Sequence, residues 1–143
     1  MTIMTEKFKI LGKFIKDMSS ETSDVETYLF VRDRITNYQL DIDISSNAIK
    51  NKMVEVNTTF KFLDKEENKK KSYFEIVYAS IVKINDDINK KDEIEKIILC
   101  DVQIQIYPDL EKSILDLLHN SGYPGVKFEK KINFEQLYQQ RFN

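Results

Sequence analysis

Apolar and polar residues alternate with a period of two through much of the first half of the chain. From Tyr38 to Ile44 every second residue is apolar and the residues between them are polar, which is typical of a half-buried strand. The same alternation recurs at 54–62 and at 73–84, and a shorter version covers about 7–18. The pattern therefore predicts four strands, of which 73–84 is apolar on both faces over much of its length.

Polar clusters mark the connections between these strands. The triplet Ser45, Ser46 and Asn47 predicts a turn after the second strand. The run 64–71 is dense in charged residues, so we expect it to form a solvated hairpin loop with none of its side chains buried.

The second half of the chain changes to a helical period. Leu110, Ile114, Leu117 and Leu118 recur at helical spacing, and 102–106 is also predicted as helix. Asp92 is the residue type expected at a helix start.

Further signals bound the helices. Pro108 fits the first turn or a kink of a long helix, and Gly122 fits its end. Asn133 is expected to cap a last short helix, whose apolar residues are Phe134, Leu137 and Tyr138.

The order of these elements predicts the fold class α+β. We expect a four-stranded antiparallel sheet followed by a long helix and a short C-terminal helix, in a single domain over 1–143. Few sheet faces are strictly polar and the long helix is apolar over a wide arc, so we also expect copies to associate.

Charge and composition exclude several classes of protein. The 22 basic and 24 acidic residues give a net charge of −2. The protein as a whole therefore has no positive electrostatic field that would attract nucleic acid or an anionic membrane. No apolar run approaches the about 20 residues of a membrane-spanning helix, and no signal-peptide core precedes the first strand. The single cysteine, Cys100, suits a reducing compartment, and we expect a cytoplasmic protein.

Groups that could carry catalysis are sparse. His119 is the only histidine and has no matching Cys or Asp pattern nearby, and Cys100 lies in an apolar helical stretch typical of a buried small hydrophobe. One His and one Cys cannot complete a structural zinc site, and the acidic residues lack calcium-loop spacing. The sequence therefore predicts a non-enzyme that uses no cofactor and no metal.

Aromatic residues are the remaining unusual feature of the composition. The chain contains seven Tyr and nine Phe but no Trp. This number exceeds what one modest core requires, so it predicts exposed apolar surface with a function.

Short motifs follow one another along nearly the whole chain. They are 15–21 (IKDMSSE), 38–43 (YQLDID), 54–56 (VEV), 73–76 (YFEI), 106–108 (IYP), 122–124 (GYP) and 132–138 (INFEQLY). In this order and spacing they resemble the SecB family of protein-export chaperones.

The resemblance implies an assembly, an activity and three sites. Members form a homotetramer, a dimer of dimers, and hold unfolded secretory proteins without ATP in grooves between the sheet and the last helix. The client groove would contain Tyr38, Leu40, Ile42, Leu137 and Tyr138. The face that docks the export motor SecA would contain Asp17, Glu21, Tyr73 and Glu75. The tetramer interface would contain Leu110, Ile114, Leu117 and Leu118 of the long helix.

Two departures from the family pattern qualify this expectation. The family is distinctly acidic whereas this chain is nearly neutral, which weakens steering towards a basic partner. The extended tail by which some members contact SecA does not follow the last helix, so client holding is better supported than delivery.

Three alternatives stay open at this point. One is a SecB-like chaperone for a dedicated client such as an antitoxin. Another is a structural oligomer whose apolar faces serve only self-assembly. The third is a small-molecule-binding enzyme of the same fold class.

Overall fold

A four-stranded antiparallel sheet organises the computed structural model, which describes residues 6–67 and 70–142. The strands are β1 (Phe8–Glu21), β2 (Gln39–Lys50), β3 (Met53–Leu63) and β4 (Tyr73–Ile84). Their order across the sheet is β1-β4-β3-β2, so β1 and β2 form the two edges. The predicted sheet is confirmed.

Helical segments follow β1 and β4. The helices are α1 (Val25–Arg34), α2 (Lys91–Lys96), α3 (Val102–Asn120) and α4 (Phe134–Phe142). A single 3-10 turn, Ile35–Asn37, extends α1, and a π-helical turn, Ile97–Asp101, joins α2 to α3 without a break. The predicted α+β class, with a long helix and a short C-terminal helix, is confirmed.

The core lies between one face of the sheet and α3. Alternate residues of β3 and β4 supply the sheet side, and the helical period of α3 supplies the other. Side chains that are almost fully buried there are Val56, Phe60, Ile76, Val82, Ile106, Leu110, Ile114 and Leu118. The alternation in the sequence therefore encodes which face of each strand α3 covers.

The turn after β2 lies further along the chain than predicted. Ser45, Ser46 and Asn47 pair with β3 as ordinary strand residues, and the chain reverses only at Asn51 and Lys52. Lys52 adopts a positive φ of 60°, the left-handed conformation that a tight reversal needs. Polar residues at an exposed sheet edge can stay in the strand, which is why the polar triplet misplaced the turn.

The hairpin loop between β3 and β4 is solvated as predicted, with one exception. Asp64 is buried, and its carboxylate accepts a hydrogen bond from Arg34 at 3.2 Å and from the Glu66 backbone N–H at 3.1 Å. The expectation that this whole run is exposed was therefore wrong at Asp64. Asn68 and Lys69 lie outside the described residues.

The long helix begins earlier than predicted. Lys90 rather than Asp92 precedes the first turn of α2. The predicted helix at 102–106 is confirmed as the start of α3, and Pro108 lies inside α3, so its alternative placement in a first turn was wrong. Asp92 still lies in the first turn of α2, where a carboxylate favours the positive end of the helix dipole.

Both predicted boundary signals near the C-terminus are confirmed. Gly122 follows α3 with φ of 108°, and a Cβ there would lie 2.6 Å from a ring carbon of Tyr28, so only glycine fits. The Asn133 side chain accepts a hydrogen bond from the Gln136 backbone N–H at 3.0 Å and so caps α4.

A buried polar contact ties the π-helical turn to the sheet. Thr58 of β3 donates its hydroxyl hydrogen to Gln103 Oε1 at 2.8 Å, and Gln103 Nε2 donates to the Ile98 carbonyl at 3.0 Å. Thr58 and Gln103 are both fully buried. Because an unpaired polar group in this position would be costly, the contact fixes where α3 lies along β3.

Candidate functional site

A long cavity of about 1460 Å³ lies between β2, α1, α4 and the segment that joins α3 to α4. It exceeds the about 300–1,000 Å³ of ordinary small-molecule pockets. Its apolar lining consists of Tyr28, Ile35, Tyr38, Leu40, Ile42, Phe62, Tyr107, Tyr123, Val126, Phe128, Ile132 and Leu137. We call this cavity the groove.

Aromatic rings form a connected row along the groove and the core beneath it. Phe128 contacts Phe62 with ring centroids 5.8 Å apart, and Phe62 contacts Tyr38 at 5.5 Å. Tyr38 then meets Phe74 at 6.3 Å, and Phe74 meets Tyr123 at 5.6 Å. These distances are those of favourable aromatic pairs, so the rings of the core support the rings that line the groove.

Tyr38 is fixed in the groove by hydrogen bonds as well as by packing. Its hydroxyl accepts from the Ser72 backbone N–H at 3.1 Å, and the Ser72 hydroxyl lies 3.3 Å from the Tyr123 hydroxyl. Burial raises the pKa of Tyr38 and also that of Tyr107. Both rings therefore stay neutral and present apolar surface.

Helix α1 builds one wall of the groove, and no prediction from the sequence covered this helix. Asp24 begins it by accepting a hydrogen bond from the Thr27 backbone N–H at 2.7 Å, and the same bond lowers the pKa of Asp24. The wall side chains are Tyr28, Arg32 and Ile35. Asp24 ahead of Glu26 in the first turn was the available signal for a helix start.

A second wall is the irregular segment 121–133 between α3 and α4, which meets α1 at one end. Phe128 and Ile132 are half-buried against the core and hold the segment in place. Tyr28 donates its hydroxyl hydrogen to the Gly122 carbonyl at 2.8 Å, and His119 Nε2 lies 2.8 Å from the Val126 carbonyl oxygen. His119 therefore contacts the backbone of the wall. The sequence signals for this wall were the 122–124 motif (GYP) and scattered apolar residues such as Phe128 and Ile132, none of which follows a regular period.

The structure brings together four of the five residues expected in the groove. Tyr38, Leu40 and Ile42 line it from β2 and Leu137 lines it from α4. Tyr138 does not line the groove, because the next position on a helix points about 100° away. It is half-buried beside α2, with its hydroxyl 3.5 Å from the Asp92 carbonyl oxygen.

The four residues expected to dock SecA share the sheet face that points away from α3. Glu21 of β1 is opposite Tyr73 of β4, and Asp17, four residues before Glu21 on the same strand, is opposite Val77. Glu75 lies between these positions on β4 and is opposite Lys61 of β3. The structure thus places Asp17, Glu21, Tyr73 and Glu75 in one patch.

The four residues expected at the tetramer interface lie mostly in the core of a single subunit. Leu110, Ile114 and Leu118 are at most 1% exposed, and Leu117 is half-buried. A side chain already packed on its own sheet cannot also contact another subunit. An interface through α3 would therefore use the other side of the helix, where Ile104 is 52% exposed.

The single cysteine lies in the core, away from solvent. Cys100 is fully buried in the π-helical turn, and burial raises the pKa of its thiol. It behaves as a small hydrophobic residue. Within the described residues, no three of His, Cys, Asp and Glu cluster as metal ligands do. Across 6–67 and 70–142 no helix is long and apolar enough to cross a membrane.

Comparison with known proteins places the chain in a family. A family profile described as preprotein translocase subunit SecB matches residues 3–143. The chain belongs to the SecB family. This SecB-family chain is 61% identical over 140 residues to a Pelagibacter ubique protein that bears the name protein-export protein SecB, covering 98% of the chain and 100% of the relative. It is 21% identical to the protein-export protein SecB of Mesorhizobium japonicum, covering 92% and 77%.

A solved SecB-like structure has the same fold. It is a SecB-like chaperone of Mycobacterium tuberculosis in complex with a peptide from an antitoxin, with a TM-score of 0.66 and 11% identity. The match covers 88% of each chain. The family match and the shared fold agree, and together they support a protein-export chaperone.

Proposed function

We propose that this SecB chain is an ATP-independent holdase. It binds unfolded preproteins in the groove and keeps them competent for export, in the cytoplasm. The observation that carries the proposal is the groove itself, an aromatic-lined cavity of about 1460 Å³ that is larger than ordinary small-molecule pockets. An extended polypeptide fits a cavity bounded by two helices, an edge strand and an irregular segment.

The physics of the groove suits many different clients. Burial of apolar surface is non-directional, and each client side chain that fills an apolar slot contributes about 1.5–3 kcal/mol. Ordering a disordered client opposes this gain. High affinity therefore requires several weak contacts along one client chain, which several grooves in one oligomer would supply.

Suppression of aggregation tests the proposed holding activity. We expect stoichiometric amounts of the assembled protein to prevent light scattering by a chemically unfolded client, with no nucleotide present. The groove needs no energy source, because binding alone removes the apolar segments from solution. If scattering develops at the same rate with and without the assembled protein, the proposed function is wrong.

Self-association is the second part of the proposal, and β1 supports it. As an edge strand, β1 leaves backbone groups unpaired, and such a strand is a template for pairing with another chain. Large apolar side chains are exposed along it at Leu11, Phe14, Ile15 and Met18. We propose that copies associate through β1 and the exposed side of α3 into a homotetramer.

A charge at the β1 edge should disrupt this assembly. Ile15 is 43% exposed, so Ile15→Asp should leave the subunit folded while placing an unpaired carboxylate in the proposed interface. We expect the mass measured by size exclusion with light scattering to fall below that of a tetramer. Val25→Asp, at a 72% exposed position of α1, is the matched control and should keep the mass. An unchanged mass for Ile15→Asp would rule out the β1 interface.

Delivery to the motor SecA is the third part of the proposal. Asp17, Glu21 and Glu75 place three carboxylates beside the exposed ring of Tyr73, on the sheet face opposite the groove side. Such a patch complements a basic partner surface. A client in the groove and a motor on the patch would occupy opposite faces of the sheet.

A further inference from the structure

Phe128 stands at one end of the aromatic row of the groove. Its ring packs edge-on against the Phe62 ring, with the centroids 5.8 Å apart and the ring planes at 66°. Phe128 is half-buried and makes this one ring pair within the described residues, whereas Phe62 also contacts Tyr38. The Phe128 ring therefore covers part of the aromatic surface that the groove would otherwise offer.

Little besides this ring contact holds the chain around Phe128 on the groove. Residues 127–131 make no hydrogen bond with any part of the chain that the structure describes, and all of them except Phe128 are exposed. The chain is fixed on either side, because Val126 donates its backbone N–H to the Tyr123 carbonyl at 3.3 Å and Ile132 is half-buried against the core. A short exposed stretch without hydrogen bonds opens at a low free-energy cost.

The stretch 127–131 has the chemistry of the clients that the groove is proposed to hold. Its sequence, KFEKK, places one aromatic residue among four charged residues, and it has no regular secondary structure. An unfolded polypeptide likewise presents isolated apolar side chains on an irregular, solvated backbone. Phe128 therefore occupies the groove in the way that is expected of a client side chain.

We propose that Phe128 is a displaceable plug of the groove. An apolar client side chain takes its place against Phe62, and residues 127–131 swing away from the groove. The proposal rests on the proposed holding function and concerns the regulation of the same site. Because the plug and the client compete for one surface, displacing the plug lowers the apparent affinity for the client. The strength of an aromatic pair at this distance corresponds to a change in Kd of about 2- to 10-fold.

Removing the plug tests the sign of its effect on client affinity. Phe128→Ala uncovers the Phe62 ring, so a labelled unfolded client should bind the full-length assembled protein about 2- to 10-fold more tightly in an anisotropy titration. Phe30→Ala is the matched control and should keep the Kd, because Phe30 of α1 is 38% exposed and outside the lining. Weaker or unchanged binding by Phe128→Ala would overturn the plug. A client that does not bind even the unaltered protein would instead contradict the holding function.

Fluorescence shows where the ring goes when a client binds. The chain contains no Trp, so Phe128→Trp gives a single reporter at the plug if the client also lacks Trp. Displacement moves the indole from the aromatic row into water, so adding the client should shift its emission to longer wavelength. A shift to shorter wavelength, or no shift, would mean that the ring stays in the groove beneath the client, and the plug would be wrong. Phe30→Trp is the control and should keep its emission.

Discussion

Leu137→Asp should weaken the binding of an unfolded client by about 10- to 100-fold without changing the fold. Leu137 lines the groove from α4 and is 45% exposed, so the free protein loses little when it is replaced. A client that covers this position loses an apolar contact worth about 1.5–3 kcal/mol and must desolvate a carboxylate. Anisotropy titration with a labelled unfolded client measures the change.

The chain provides a closely matched control for this substitution. Leu29 of α1 is 44% exposed and does not line the groove, so Leu29→Asp makes the same chemical change at the same exposure. Client affinity should be unaffected by it. Equal losses of affinity in both variants would show that clients bind outside the groove, and circular dichroism establishes that both variants are folded.

Gln103→Leu should lower the free energy of unfolding by about 2–4 kcal/mol. The substitution leaves the fully buried Thr58 hydroxyl without its acceptor and removes the hydrogen bond to the Ile98 carbonyl. A stranded buried donor costs about 1–3 kcal/mol, and a lost hydrogen bond adds about 1 kcal/mol. Urea unfolding at one fixed protein concentration measures the change, because self-association would add to the apparent stability.

A double-mutant cycle separates the hydrogen bond from simple packing. Thr58→Val removes the hydroxyl that Gln103→Leu strands, so the double variant should be more stable than Gln103→Leu alone. If the two single effects simply add, the Thr58–Gln103 contact does not stabilise the fold. The π-helical turn would then be held on the sheet by apolar packing only.

The strands were the part of the fold that the sequence predicted best. The predicted limits of β4 coincide with Tyr73–Ile84, because its residues alternate regularly between the buried face under α3 and the opposite face. The turn after β2 was misplaced because an exposed edge tolerates Ser45 to Asn47 as strand residues. Local polarity does not separate an exposed strand from a turn.

The groove was predictable only in part, for a physical reason. The groove residues of β2 and α4 were predicted because they lie on regular elements whose apolar period is visible in the sequence, and because the family resemblance pointed to them. The remaining walls come from α1, whose apolar residues follow no clear stripe, and from an irregular segment that scattered apolar residues such as Tyr123, Phe128 and Ile132 hold against the core. Such walls are positioned by contacts with residues far away in the chain, which one sequence does not display.

The pairing of β1 has a consequence for synthesis of the protein. Among the strands that the structure describes, β1 pairs with β4 alone, joining Phe8 to Ile84 and Glu21 to Tyr73. The partner of β1 therefore does not exist until β4, much further along the chain, has been translated. During that interval the apolar side chains of β1, Leu11, Phe14, Ile15 and Met18, can pair wrongly with other nascent chains. If the proposed holding function is correct, the chaperone passes during its own synthesis through the kind of exposed state that it would bind in its clients.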